Sequence, residues 1–282
     1  MQVWSRSRWF GRIPGRARLG VRLVIAVLVL AAVLYGSLRA YVEYEAHRAT
    51  SMLAEASRVQ VGATEASVLQ LVRRYDGYKW TPEPLPPREN WTDLYEYEYQ
   101  KNLVSDYGYM LEVKPFGFLT VAAAQTGRRS QFDDAARAAK NAVPTGLRPI
   151  LGMRDWFAGV QLSIRGGRVQ QVSATVLVKG RSEWIGYEWE FANAMPHSEM
   201  QSKAFAIESA ILEMEDGGGT EIQNYLTPRA SEEEFQAARS LNAKCLNSIV
   251  GCKGLCDLTP RALQYLNQHP EVNSGLVPPK CQ

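Results

Sequence analysis

The sequence predicts an α+β protein, in which an N-terminal transmembrane helix is followed by an antiparallel β-rich domain with a few packed helices. Three observations carry this reading. Residues 23–38 form an uncharged, nearly all-aliphatic run between Arg22 and Arg39. Further along, segments of period-two alternation rich in Val, Ile, Tyr and Trp are separated by Gly and Pro breaks, the pattern of half-buried strands. Around them lie short stretches with apolar residues at helical spacing. A chain of 282 residues, 46% hydrophobic and 22% charged, has enough material for a core of its own, and this composition excludes wholesale disorder or a polytopic transporter.

Residues 1–22 read as a basic cytoplasmic tail. Arg6, Arg8, Arg12, Arg16, Arg18 and Arg22 are accompanied by no acid. Of the net charge of +3 the tail therefore supplies +6, leaving −3 on residues 23–282. The isoelectric point of 8.6 reflects that tail, and the mildly acidic remainder offers no basic surface for nucleic acid.

The apolar run of 16 residues spans roughly 24 Å as a helix, short of a hydrocarbon core of about 30 Å. Snorkelling of Arg22 and Arg39 makes up the difference, and Tyr35, Tyr41 and Tyr44 suit the far interface. A cleaved signal peptide is the competing reading. Ala31 and Ala32 lie inside the run, and residues 35–40 (YGSLRA) make a poor cleavage site, so residues 23–38 are expected to remain as an anchor in the lipid bilayer. No cysteine follows at a lipoprotein attachment position, and no adjacent arginine pair precedes the run. By the positive-inside rule the six arginines orient the N-terminus toward the cytoplasm. The expectation is a single-pass protein of the bacterial cytoplasmic (inner) membrane with its C-terminal domain outside the cytoplasm.

Residues 39–80 are expected to form juxtamembrane helices. The first continues to about Arg58 and breaks before Gly62. The second, capped by Thr64, carries Val68, Leu71, Val72 and Tyr75 on one stripe and stops at Asp76-Gly77. Residues 81–90 are a proline-rich connector.

Residues 91–243 form the extracytoplasmic α+β domain. Tyr95, Tyr97 and Tyr99 alternate with Glu96 and Glu98 as in a strand with one packed face. A second strand region is expected over 111–124 and an alanine-rich helix over 131–141. The strongest local signal is a hairpin, 157–164 with 169–178, whose Gly166-Gly167 supplies the positive φ of a tight turn. A strand follows over 184–191. Residues 203–214 are ambiguous between helix and strand, but the glycine break at 217–219 ahead of 220–226 favours another hairpin. A last helix starts at Ser231, where Ser231 and Glu234 have capping-box spacing. Phe235, Ala238, Leu241 and Cys245 then repeat at helical spacing, which would turn Cys245 inward.

Residues 244–282 are a cysteine-containing tail. All four cysteines, Cys245, Cys252, Cys256 and Cys281, fall near the C-terminus, and in an oxidising compartment they read as two disulfides. The pairing is open, although loop-closure entropy favours near neighbours, such as Cys245 with Cys252 and Cys256 with Cys281. Zinc is the competing reading, with His269 nearby, but the spacings lack paired C-x2-C knuckles.

Little else carries chemistry. His47, His197 and His269 stand in no catalytic constellation, and the nucleophile-elbow, zinc-protease, P-loop and Rossmann patterns are missing from the sequence. Gly217-Gly218-Gly219 lacks the lysine and helix that cradle a phosphate. Glu96 with Glu98, or Glu188 with Glu190, stand about 7 Å apart on one strand face, within reach of two-carboxylate glycoside hydrolysis. The ordinary reading is a solvated face opposite an aromatic core. The aromatic residues between Tyr75 and Tyr109 suit a core or a glycan-stacking platform, and Asn90-Trp91-Thr92 fits the N-glycosylation pattern. No cofactor is indicated.

Residues 61–68 (VGATEASV) resemble the Gly-x-Thr-x-x-x-Val helix start of small outer-membrane assembly lipoproteins over under 20 residues, without the lipoprotein cysteine. More broadly, the N-terminal anchor, β-rich exterior and C-terminal segment 241–252 resemble single-pass envelope proteins of bacteria, acidobacteria in particular. That resemblance implies the architecture and carries no activity. The functional expectation is a non-catalytic interaction or scaffold domain, tethered through residues 23–38, with an envelope protein or the wall as partner. The alternatives are a glycan-acting hydrolase using strand carboxylates, or a lipid or small-molecule binding module.

Overall fold

The structure, a computed structural model, describes residues 15–82, 105–114, 143–144, 147–148, 155–180, 183–193, 207–214, 219–246, 248 and 251–281. The expected strand at 95–99, the segment 115–124, the helix at 131–141, most of the connector, the Asn90 motif, His197 and the arginines at 6, 8 and 12 lie outside the described residues.

The chain is α+β. It divides into two compact units, Met1–Tyr41 and Val42–Gln282. Helix α1, Gly15–Ala56, begins in the first unit. There, Leu23, Val24, Ile25, Leu28, Leu30 and Leu34 are all exposed. An 18-residue window reaches a mean hydropathy of 2.4 with none of it buried, so this helix is long and apolar enough to cross a membrane.

In the second unit the same helix becomes amphipathic. Val42, Ala46, Ala49, Leu53 and Ala56 recur at intervals of four and three and are buried, one stripe facing a core. Helix α2, Glu65–Arg74, buries Val68, Leu71 and Val72, and Tyr75 follows on the same stripe. Thr64 occupies the N-cap position, but its side chain makes no capping bond. Tertiary structure supplies the partner instead, since the Glu65 N–H donates to the Gly167 carbonyl across 2.9 Å. Glu65 also accepts from the Tyr107 and Tyr109 hydroxyls at 2.7 and 2.5 Å, which ties the helix to the sheet. These bonds hold the carboxyl below its ordinary range, while Tyr109 is pushed up to about 12.

Seven strands form one sheet: β1 Tyr78–Trp80, β2 Tyr107–Val113, β3 Trp156–Arg165, β4 Arg168–Lys179, β5 Trp184–Ala192, β6 Ile207–Glu213 and β7 Gly219–Leu226. The order is β1-β2-β3-β4-β5-β7-β6. The β3–β4 hairpin turns on Gly166 and Gly167 at φ 56° and 69°, values that L side chains avoid. The ambiguous segment at 203–214 contributes a strand, β6, antiparallel to β7. The antiparallel expectation fails at one place: β5 and β7 are parallel. The buried Asn224 of β7 shows a reason. Its Nδ2 donates to the Glu188 carbonyl on β5, and its Oδ1 accepts from Ser209 on β6. Both groups are satisfied only when β7 lies between the two strands. Gly219 lets β7 start against β5, because a Cβ there would stand 2.0 Å from the Trp184 carbonyl oxygen.

Trp156, Val160 and Leu162 of β3, Val172 and Val176 of β4, Ile185, Tyr187 and Trp189 of β5 and Ile222 of β7 point to one face, where they form a single core with α1, α2 and the C-terminal helices. Residues 42–80 belong to that same core.

Helix α3, Glu232–Ala238, starts with the capping box as expected: the Glu234 N–H donates to Ser231 Oγ and the Ser231 N–H to Glu234 Oε2. It is shorter than the repeat implied. Helix α3 ends at Ala238 with Arg239 as its C-cap, and Cys245 is buried in a separate 3-10 turn, Ala243–Cys245. The reason is competition: Asn242 donates its backbone N–H to Leu258 and its side-chain amide to Asp257, which turns the chain before a further helical turn can form. Helices α4, Leu255–Leu258, and α5, Pro260–Gln268, complete the layer.

Candidate functional site

A cleft of about 810 Å³ is walled on one side by Thr50, Leu53, Ala54, Ser57 and Arg58 of α1 and its C-terminal extension, and on the other by Phe191, Phe235, Arg239 and Leu241. Its construction follows from the elements. Strand alternation turns Trp189 and Phe191 of β5 to the core face. The capping box sets the start of α3, so that Phe235 meets Phe191 edge to face with centroids 5.3 Å apart. Arg239 lies one turn beyond Phe235.

The Arg239 guanidinium stands 4.5 Å from the Phe235 ring, 4.9 Å from Trp189 and 5.4 Å from Phe191. Its Nη1 donates to the Ser57 carbonyl at the end of α1. Nε and Nη2 are closed off from solvent and have no hydrogen-bond partner among the described residues. Burial pulls its pKa down to about 10, against the opposing pull of Tyr187 and Glu232, so the group stays charged at neutral pH. The three rings attract the cation through their faces. They do not replace hydrogen bonds to the two unpaired N–H groups, whose burial costs free energy. Alongside, Tyr187 donates to the Ala238 carbonyl, and burial pushes its hydroxyl pKa upward.

Arg239 is hidden in the sequence because Phe235 and Ala238 also fit a longer stripe leading to Cys245. The available signal was the i, i+4 spacing of Phe235 and Arg239.

The opposite face of the sheet carries Glu188 and Glu190 of β5, as expected, and the neighbouring β7 adds Glu221, opposite Gly186 in register. This face is not simply solvated. Glu188 is half-buried, and desolvation, reinforced by Glu190 and Glu221, pushes its pKa up to about 7. Its partner Thr175 pulls the other way.

The cysteines pair as Cys245–Cys252 and Cys256–Cys281, with Cα separations of 4.8 and 5.3 Å. All four sulfurs are thereby used in covalent pairs, and His269 sits elsewhere, at the C-cap of α5, stacked on Tyr265 and 3.2 Å from Glu271. The Cys256–Cys281 bond holds a strap across the outer edge of β6: Asn273 bridges to Ser209, and the Ser274 and Leu276 N–H groups donate to the Ser209 and Ile211 carbonyls at 2.9 and 2.8 Å. His47 is exposed on α1, and Arg22 is exposed beside the apolar run. Comparison with family models, curated proteins and solved structures finds no match to this chain.

Proposed function

We propose that this is a single-pass envelope protein of the bacterial cytoplasmic membrane, with residues 1–22 in the cytoplasm and the β-rich unit displayed outside it as a non-catalytic interaction or scaffold domain. The observation that carries the reading is the run of exposed aliphatic residues on α1. In water this run would be a large apolar liability, while in lipid it is stable. Two disulfides in the other unit are compatible with an oxidising compartment. Arg6, Arg8, Arg12, Arg16, Arg18 and Arg22 would orient the span. The partners would be the bilayer, through residues 23–38, and an envelope protein or wall polymer.

The test is a C-terminal alkaline phosphatase fusion combined with fractionation. Phosphatase activity in cells and a membrane fraction resistant to alkaline carbonate are expected. Activity confined to a cytoplasmic reporter, or release of the full-length chain without detergent, overturns the reading.

A second reading, hydrolysis of an envelope glycan, draws on one observation: Glu188 holds its proton to about pH 7 next to Glu190 and Glu221, as a general acid must. Glu188→Gln would abolish such turnover on wall polymer, and no turnover by the parent protein sinks it.

A further inference from the structure

We infer that the cleft between α1 and α3 binds a carboxylate carried on an apolar body, with the anion received by Arg239. The inference goes beyond membrane anchoring and does not rest on it, since both walls belong to Val42–Gln282. Three features point to this ligand class.

The first is the unsatisfied cation. Arg239 spends one N–H on the Ser57 carbonyl and leaves Nε and Nη2 without partners among the described residues. It makes no ion pair among the described residues, although Glu232 lies near enough to raise its pKa. A buried guanidinium with two free donors is built to accept a planar anion, because Arg presents its N–H groups as a fork that matches a carboxylate. Low surrounding polarity strengthens such a bond.

The second is the lining. The half-buried Phe235 and Leu241, with the edges of the buried Phe191 and Leu53, give the cleft an apolar part beside the polar Thr50, Ser57 and Gln236, a mixed lining that suits a ligand with both an apolar body and a polar group. The volume of about 810 Å³ lies within the roughly 300–1,000 Å³ of small-molecule sites. A hydrated inorganic anion would leave that surface wet; an apolar carboxylate fills it.

The third is the charge on the lining. Arg58 lines the same cleft and is exposed, so a second cation helps to attract an anion to it. Glu232, also exposed there, disfavours a second negative charge and so selects a monoanion over a dianion such as a phosphate monoester. Because Nε and Nη2 are closed off from solvent, full contact with them requires the side chains packed around the guanidinium to shift when the ligand enters.

A free fatty acid and the C-terminus of a peptide ending in an apolar residue share this chemistry. The test uses the full chain in phosphatidylcholine nanodiscs and titrates octanoate and N-acetylphenylalanine separately, each beside its neutral amide, with empty discs as background. Saturable binding of at least one carboxylate is expected, with the amide at least about tenfold weaker. Whichever acid binds more tightly identifies the source. Arg239→Met should weaken binding by at least about tenfold. Because Arg239 also joins α3 to α1, Ala54→Trp provides the second variant: it fills the cleft from an exposed helix position and should remove binding while melting like the parent. No saturable binding above empty discs, equal affinity for acid and amide, or full binding by Ala54→Trp overturns the inference. Membrane fractionation of the same variants stays unchanged in every case, so failure here is distinct from failure of the anchoring reading.

Discussion

Glu188 illustrates how much one side chain depends on its neighbours across the sheet. Its spacing from Glu190 was readable in the sequence, but the approach of Glu221 came from the parallel pairing of β5 with β7. The carboxyl pKa is raised from an ordinary 4.5 to about 7 by burial first and by the two acids second. A raised folded pKa means that the associated stability is fully present below about pH 4.5 and is lost as pH rises through 7. Discounted for the partial exposure of this half-buried group, the loss is on the order of 2 kcal/mol. Glu188→Gln should therefore flatten the stability profile between pH 5 and 8, as read from urea midpoints; parallel profiles for the parent and the variant would refute the assignment. Trp189 makes a second case. It is buried in the core and touches the Arg239 cage. Trp189→Leu should cost about 2–4 kcal/mol in denaturant unfolding, because a large cavity opens where no nearby side chain can fill it.

Among the elements, the strap over β6 is the least protected. Residues 274–277 are exposed, and Val277 is 89% exposed, so little apolar burial holds the segment down. Among the described residues the backbone hydrogen bonds of Ser274 and Leu276, side-chain bonds from Ser274 Oγ to the Ser209 carbonyl and from Asn267 to the Pro279 carbonyl, and the Cys256–Cys281 bond hold it. Closing a loop of that size contributes about 3 kcal/mol. The double substitution Cys256→Ser with Cys281→Ser should speed amide exchange at Ser274 and Leu276 and along β6, leaving β3 and β4 protected. Unchanged exchange in β6 would mean that the strap holds without its staple. A bare β6 edge would also present unpaired N–H and C=O groups, an invitation to strand pairing with another copy. The short α3 teaches a related point. Its capping box was legible because Ser231 and Glu234 lie three residues apart. Its stop was not, because the groups that capture Asn242, at Asp257 and Leu258, are distant in sequence.

For the whole molecule, the division at Tyr41/Val42 makes a sharp prediction. A chain starting at Val42 keeps the α1 stripe from Val42 to Ala56, α2 and β1. It should be soluble without detergent and melt cooperatively. A chain starting at residue 81 loses Ala46, Ala49, Met52, Val68 and Leu71 from the core, and with them the cover over one face of the sheet. It should fail to fold, as read by near-ultraviolet circular dichroism. Equal stability of the two truncations would show that residues 42–80 add nothing to the core.

Features that depend on neighbours along the chain are legible in the sequence: the aliphatic run bounded by Arg22 and Arg39, the β3–β4 turn at Gly166-Gly167, the alternation of β5, the cap at Ser231 and the closeness of the cysteines. Periodicity, φ preference and loop closure are local properties, so they can be read one window at a time. Long-range packing sets the rest: β7 lies between β5 and β6, the end of α1 shares the sheet's core, and Arg239 stands among three rings with one bond to the Ser57 carbonyl. Each of these is set by which surfaces meet across long sequence separations, and burial, which no window contains, then raises the pKa of Glu188 and leaves Nε and Nη2 of Arg239 without a partner among the described residues.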